Sequence, residues 1–126
     1  MDIETRKDRL DQRINTAAQR AARDPSTIRL LAVSKKQSAQ SIRELAGFGQ
    51  LAFGENYLQE AVEKIGTLSD LGLEWHFIGQ LQRNKTRVVA DNFDWVQSID
   101  RAVLAERLSA QRSADKADLN LCIQVR

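Results

Sequence analysis

The stretch 28–34, IRLLAVS, is a short and nearly unbroken apolar run rich in branched side chains. A strand with one wet face alternates apolar and polar residues. A run that does not alternate belongs to a strand covered on both faces, as in a parallel sheet. Parallel strands need a long crossover between them, usually a helix. The next residues supply one. After the polar Ser34-Lys35-Lys36-Gln37, the stretch SAQSIRELAGFG sets Ile42, Leu45 and Ala46 on one helical stripe and ends in glycines. Ser41 and Glu44 have capping-box spacing, and Ser38 is an equally good cap.

The same unit recurs along the chain. Residues 51–54, 73–79, 93–98 and 119–125 read as further strands. Residues 56–68 read as a helix with Leu58, Ala61, Val62, Ile65 and Leu68 on one stripe. Helices also follow over 81–90 and from Asp100, as a cap, to about Lys116. Before the first strand, Ile3, Leu10, Ile14 and Ala18 keep helical spacing until Asp24-Pro25 stops them. Strand starts lie roughly twenty residues apart, the spacing of βα units. Right-handed crossovers then make the sheet parallel. The 126 residues contain no linker or repeat, so one domain over 1–126 is expected. Two α/β architectures share this pattern, an open doubly wound sheet and a (β/α) barrel. In both, ligands sit beyond the carboxyl ends of the strands.

The net charge of +2 is too small to argue for nucleic acid or a membrane surface as a partner. The single cysteine, Cys122, cannot form an internal disulfide and fits a reducing compartment. The N-terminus is charged throughout and lacks the apolar centre of a secretory signal. No apolar run approaches the roughly 20 residues that cross a bilayer. A cytoplasmic location is the expectation.

The strand ends carry the chemistry. A lysine at the mouth of a parallel sheet, such as Lys35, becomes nucleophilic when its surroundings lower its pKa, and it then condenses with an aldehyde. Pyridoxal 5'-phosphate (PLP) is the usual biological aldehyde for that bond. The alternative is a solvated lysine. Asn56 either caps the helix that follows it or hydrogen-bonds a polar ring substituent of a ligand. His76, the one histidine, sits between Trp75 and Phe77 and has no neighbouring partner set for a metal. Ser34 lacks the nucleophile-elbow glycines. Arg83, Lys85 and Arg87 read as a solvated helix face. There is no phosphate-binding glycine loop of the Walker or dinucleotide type.

Four strand-end segments occur in a telling order: LLAVSKK, FGENYLQE, LEWHFIGQLQRNK and FDWVQSIDR. Together they resemble the pyridoxal phosphate homeostasis protein family, also called the proline synthetase co-transcribed family. The resemblance implies a (β/α)8 TIM barrel of the alanine racemase N-terminal type. It implies PLP held as a Schiff base by the lysine of a Val-Ser-Lys motif, here Lys35. It places Asn56 beside the cofactor and lines the same mouth with His76 to Gly79, including Ile78. The implied role is PLP buffering or delivery in vitamin B6 homeostasis, without turnover.

The chain departs from the family pattern. It reads Val33-Ser34-Lys35-Lys36-Gln37-Ser38 where the family has Val-Ser-Lys-Thr-Lys-Pro. Lys36 would lower the pKa of Lys35 if both faced the mouth. The family's Gly-Pro-Leu-Gln is Gly79-Gln80-Leu81-Gln82. Members of the family are roughly twice as long, in keeping with the ~250 residues of a barrel. Five strands make the N-terminal part of a barrel, a half-barrel. A barrel's phosphate site usually lies after strands seven and eight, so weak or absent PLP binding is expected. An uncovered edge and inner face would favour a homo-oligomer, or rearrangement to an open sheet. A half-barrel that assembles but binds nothing, and a racemase-like PLP enzyme, are the alternatives. The enzyme needs an acid or base facing the lysine.

Overall fold

Each of the five stretches read as strands contributes one to a single parallel sheet. The protein is described by a computed structural model over residues 1–125. The strands are β1 (Ala32–Val33), β2 (Ala52–Glu55), β3 (Glu74–Phe77), β4 (Trp95–Ile99) and β5 (Asn120–Ile123). They are hydrogen-bonded in chain order, and every pair is parallel. The helices are α1 (Ile3–Arg20), α2 (Ala39–Gly47), α3 (Leu58–Thr67), α4 (Thr86–Asn92) and α5 (Ala102–Gln111).

The strand order decides between the two architectures. A doubly wound sheet reverses its strand order at a switch point and carries helices on both faces. Here the order runs straight from β1 to β5. Crossovers of one hand that always step the same way put every helix on one face. The core agrees: Phe53, Trp75, Phe77 and Val96 of the sheet share one cluster with Ile42, Ala61, Val89 and Leu104 of α2 to α5. Edge-on packing of Phe77 and Phe93 at 5.3 Å helps close it. This is the winding of a barrel, and the doubly wound alternative is set aside.

The opposite face is traced by register. Val33 pairs with Gly54, Gly54 with His76, and His76 with Trp95. Side chains alternate along a strand, so this row lies away from the helices, on what would be a barrel's interior. Val33 is 53% exposed there.

Several boundaries differ from expectation. The apolar run 28–34 pairs only over Ala32–Val33, at one end of the sheet. The Gln50 amide takes over part of the missing ladder, donating to the carbonyls of Leu30 and Ala52 at 2.8 Å. Ser38, not Ser41, caps α2, and its hydroxyl accepts the Ser41 amide. The helix expected from Asn56 begins at Leu58, with Tyr57 at the cap position and no side-chain capping bond. The last helix starts at Ala102, with Arg101 at the cap position, and stops at Gln111 rather than near Lys116. There the Arg112 guanidinium turns back to the carbonyls of Ala90 and Phe93 at 2.7 and 2.6 Å.

Candidate functional site

The carboxyl ends of β1, β2 and β3 meet in one small region. At β1, the Ser34 amide donates to Gly54. The chain then turns at once, and the Gln37 amide donates to the Ser34 carbonyl at 3.0 Å. Lys36 takes φ +62° to make the turn, a left-handed conformation that a side chain with Cβ adopts only under constraint. Ser34 is buried on the helix side, where its hydroxyl donates to the Glu55 carboxylate. Lys35 follows in the turn itself and is exposed. Lys36 is engaged with α3 instead. Its amide donates to Glu60 at 2.6 Å, and its ammonium lies 5.6 Å from the centre of the Tyr57 ring. The two lysines therefore do not form the facing pair considered from sequence.

At the ends of β2 and β3, Ile78 extends the ladder by donating to the Glu55 carbonyl at 3.0 Å. Its Cδ1, with the Leu31 side chain, fills the space that a side chain on Gly54 would take. Asn56 does not cap α3. Its Oδ1 is buried without a hydrogen-bond partner. The Asn56 backbone lies hard against Gly79, where an added Cβ would stand 2.3 Å from the Asn56 oxygen. Gly79 is held from the next strand by the Ser98 hydroxyl, 2.5 Å from its carbonyl. Lys35, Asn56 and Ile78 thus follow the carboxyl ends of three neighbouring strands.

His76 lies one pleat deeper and is buried. Its ring stacks on Trp95 at 5.3 Å with planes 5° apart. The Gln97 amide nitrogen, which only donates, is 2.9 Å from Nδ1. Nδ1 therefore accepts, and Nε2 carries its proton toward Glu74 at 2.6 Å. Glu74 also receives Arg29 at 2.8 Å. Burial pushes the Glu74 carboxyl up, but the hydrogen bonds from His76 and Arg29 outweigh it, and the net shift is downward. Both ring nitrogens are committed, so His76 offers a held ring face rather than a free acid or base.

Beneath the rim, on the helix side, lies a charged cluster. Glu55 is fully buried and Lys64 nearly so. The Lys64 ammonium meets both Glu55 oxygens at 3.1 and 3.2 Å, Glu60 at 2.6 Å and the Ser34 carbonyl at 2.8 Å. The Lys64 hydrogen bond draws the Glu60 carboxyl below its usual range against the opposing effect of burial, with the Lys36 amide helping. Sequence reading passed over this pair. The signal was present: Lys64 falls three residues after Ala61 and four before Leu68, inside the apolar stripe of α3.

An aldehyde-bearing polar ring such as that of PLP matches an exposed amine, Lys35, in the turn after β1 and a buried acceptor without a partner, Asn56 Oδ1, after β2. No residue of this group is suited to the phosphate.

No protein-family model matches the chain. Curated relatives do. The chain is 56% identical over 113 residues to the pyridoxal phosphate homeostasis protein of Pseudomonas aeruginosa, covering 90% of this chain and 49% of that protein. It is 50% identical over 127 residues to the protein of that name from Haemophilus influenzae, covering 99% and 54%. The Escherichia coli K12 protein of the same name is 52% identical over 116 residues, with 90% and 50% covered. The chain spans about half the length of these relatives. Among solved structures, PipY of Synechococcus elongatus with PLP bound superposes with TM-score 0.67 at 43% identity, over 78% of this chain and 47% of that one. A structure described as that of an unknown protein from Bifidobacterium adolescentis gives TM-score 0.73 at 25% identity, over 96% of this chain and 61% of that one.

Proposed function

The chain belongs to the pyridoxal phosphate homeostasis protein family, and from that premise we propose that it holds PLP at Lys35 as a carrier in vitamin B6 homeostasis, without turnover. The observation that carries this reading is Asn56 Oδ1, a buried acceptor with no protein donor, on the residue that follows β2. Leaving such a group unpaired costs about 1–3 kcal/mol, which a ligand donor offsets. PLP supplies an aldehyde that a lysine amine attacks with loss of water. Lys35 is the amine in the turn after β1. Asn56 meets a polar ring substituent, Ile78 forms the apolar wall, and His76 presents its fixed ring as the floor.

Turnover at a substrate carbon needs a free proton-transfer group facing the lysine. His76 has both nitrogens bonded, and the Glu55 carboxylate lies on the helix side. That favours a carrier over a racemase-like enzyme. Residues 1–126 form one βα domain in this reading, the N-terminal half of a barrel.

Addition of PLP to the chain, borohydride reduction and peptide mapping test the assignment. The expected adduct is on Lys35, and an adduct confined to other lysines overturns it. With L-alanine and PLP, no D-alanine should accumulate. A cytoplasmic location belongs to the same reading. Among the described residues no helix is long and apolar enough to cross a membrane.

Self-association is a second part of the proposal. Along β1, at one end of the sheet, runs a cleft of about 490 Å³ lined by Leu10, Leu31, Val33 and Leu45. At the other end Ile123 is 79% exposed. Free edges and apolar surface of this kind pair with another copy. Sedimentation at rising concentration should show a dimer or larger species. A monomer throughout removes this part and leaves PLP binding standing.

A further inference from the structure

The turn that carries Lys35 is bound on both sides of that residue, and the bonds converge on one side chain. Before Lys35, Ser34 is fixed three times. Its amide donates to Gly54, its hydroxyl to Glu55, and its carbonyl accepts the Lys64 ammonium at 2.8 Å. After Lys35, the Lys36 amide donates to Glu60 at 2.6 Å. Glu55 and Glu60 are both partners of Lys64. The same Ser34 carbonyl also closes the turn by accepting the Gln37 amide.

A buried ion pair is a weak device for stability, because the desolvation of two charges consumes most of their attraction. An apolar pair of similar volume would serve the core as well. What an apolar pair cannot do is hold a carbonyl oxygen and two carboxylates in fixed directions. Lys36 keeps a left-handed φ of +62° in this turn, a conformation that needs such external bonds.

We infer that Lys64 is a positioning residue for Lys35. From the helix side of the sheet it fixes the Ser34–Gln37 turn, so that the Lys35 amine leaves the rim toward Asn56 and Ile78. Its role in cofactor capture rests on the proposed PLP reading, whereas its role in ordering the turn does not.

The test uses the full chain in three forms: wild type, Lys64→Arg, and the double variant Glu55→Leu with Lys64→Met. The double variant removes both charges, so the core is not left with an unpaired one. Circular dichroism first establishes that each form is folded. Hydrogen exchange at the Lys36 and Gln37 amides then reads the turn without any ligand. The double variant should exchange about tenfold faster there, with the β3 amides unchanged.

Covalent capture of PLP at Lys35, trapped by borohydride over a concentration series, reads the consequence. Mispositioning lowers the maximal capture rate by about tenfold and leaves the half-saturating PLP concentration within about twofold. Lys64→Arg, which keeps the charge and the donors, should restore most of that rate. Unchanged turn exchange in the folded double variant overturns the inference, and so does an unchanged capture rate at Lys35. If wild type captures no PLP at Lys35, the PLP reading fails, while the exchange comparison still decides whether Lys64 orders the turn.

Discussion

Gly79 and Asn56 lie so close that a Cβ on Gly79 would stand 2.3 Å from the Asn56 carbonyl oxygen and 3.0 Å from its Cα. The obstacle is backbone, which cannot swing aside as a side-chain tip does. It is fixed from both sides, by the Ser98 hydroxyl on Gly79 and by the Ile78 amide on the preceding Glu55 carbonyl.

Gly79→Ala should therefore destabilise the fold by about 1–3 kcal/mol, the range of overpacking, and push Asn56 out of the mouth. Gly54→Ala is the control. Its new methyl would meet the tips of Ile78 and Leu31 at 3.0 and 3.3 Å, and flexible tips give way. It should stay within about 1 kcal/mol of wild type. Urea unfolding of both variants measures the difference, and equal losses would refute the backbone argument.

Asn56→Ala separates stability from binding. Its Oδ1 makes no hydrogen bond within the protein, so truncation removes an unsatisfied acceptor and breaks no bond at that atom. Without ligand the variant should be as stable as wild type or slightly more so. PLP capture at Lys35 should fall several-fold, read as adduct yield at fixed PLP. A large loss of stability with no change in capture would mark Asn56 as structural only.

The strands were legible because short stretches rich in branched and aromatic residues alternate with helical stripes at the spacing of βα units. Their order was not legible, since it depends on which way each crossover turns. The length of β1 was overread at 28–34 because the residues of an apolar run that find ladder partners carry no mark of it in their own sequence. Lys35, Asn56 and Ile78 were selected by one rule, inspection of the residues just after each strand, and the sheet order sets those three strand ends side by side. Asn56 left two readings open, since an asparagine before a helix looks the same whether or not it caps. Glu55 and Lys64 escaped because stripes are drawn through apolar residues, and a charge inside one is easily read as solvated. The positive φ of Lys36 was also invisible, because only glycine or asparagine advertises that conformation.

Acid should weaken the fold through Glu60 and Glu74. Both carboxyls are shifted below their ordinary values, Glu60 first by its bond to Lys64, Glu74 by bonds from His76 and Arg29 that exceed the opposing effect of burial. A depressed folded-state value means that the folded protein holds the charged form more firmly than the unfolded chain does. The resulting stability is present above the ordinary carboxylate range, near pH 4, and is lost as pH falls through the lowered folded values. Urea midpoints should be flat near neutrality and drop below about pH 4. Glu74→Gln cannot ionise, so its profile should fall less steeply, and a profile parallel to wild type would remove Glu74 from the account.

The pair Glu55 and Lys64 gives the largest predicted loss from a single change. Lys64→Met leaves the Glu55 carboxylate, 0% exposed, with the Ser34 hydroxyl and no cation. An unpaired buried charge costs about 3–5 kcal/mol, enough to unfold much of a small domain. Adding Glu55→Leu to the same chain removes the charge and refills the space with apolar volume. Stability should then return to within about 1–2 kcal/mol of wild type. The two single variants and the double form a thermodynamic cycle, with the coupling read from urea unfolding. Strict additivity would mean that the two charges do not depend on each other, against the 3.1 Å contact between them. A strong coupling with recovered stability but a loosened Ser34–Gln37 turn would show that the pair is kept for where it points the chain, since the core holds together without it.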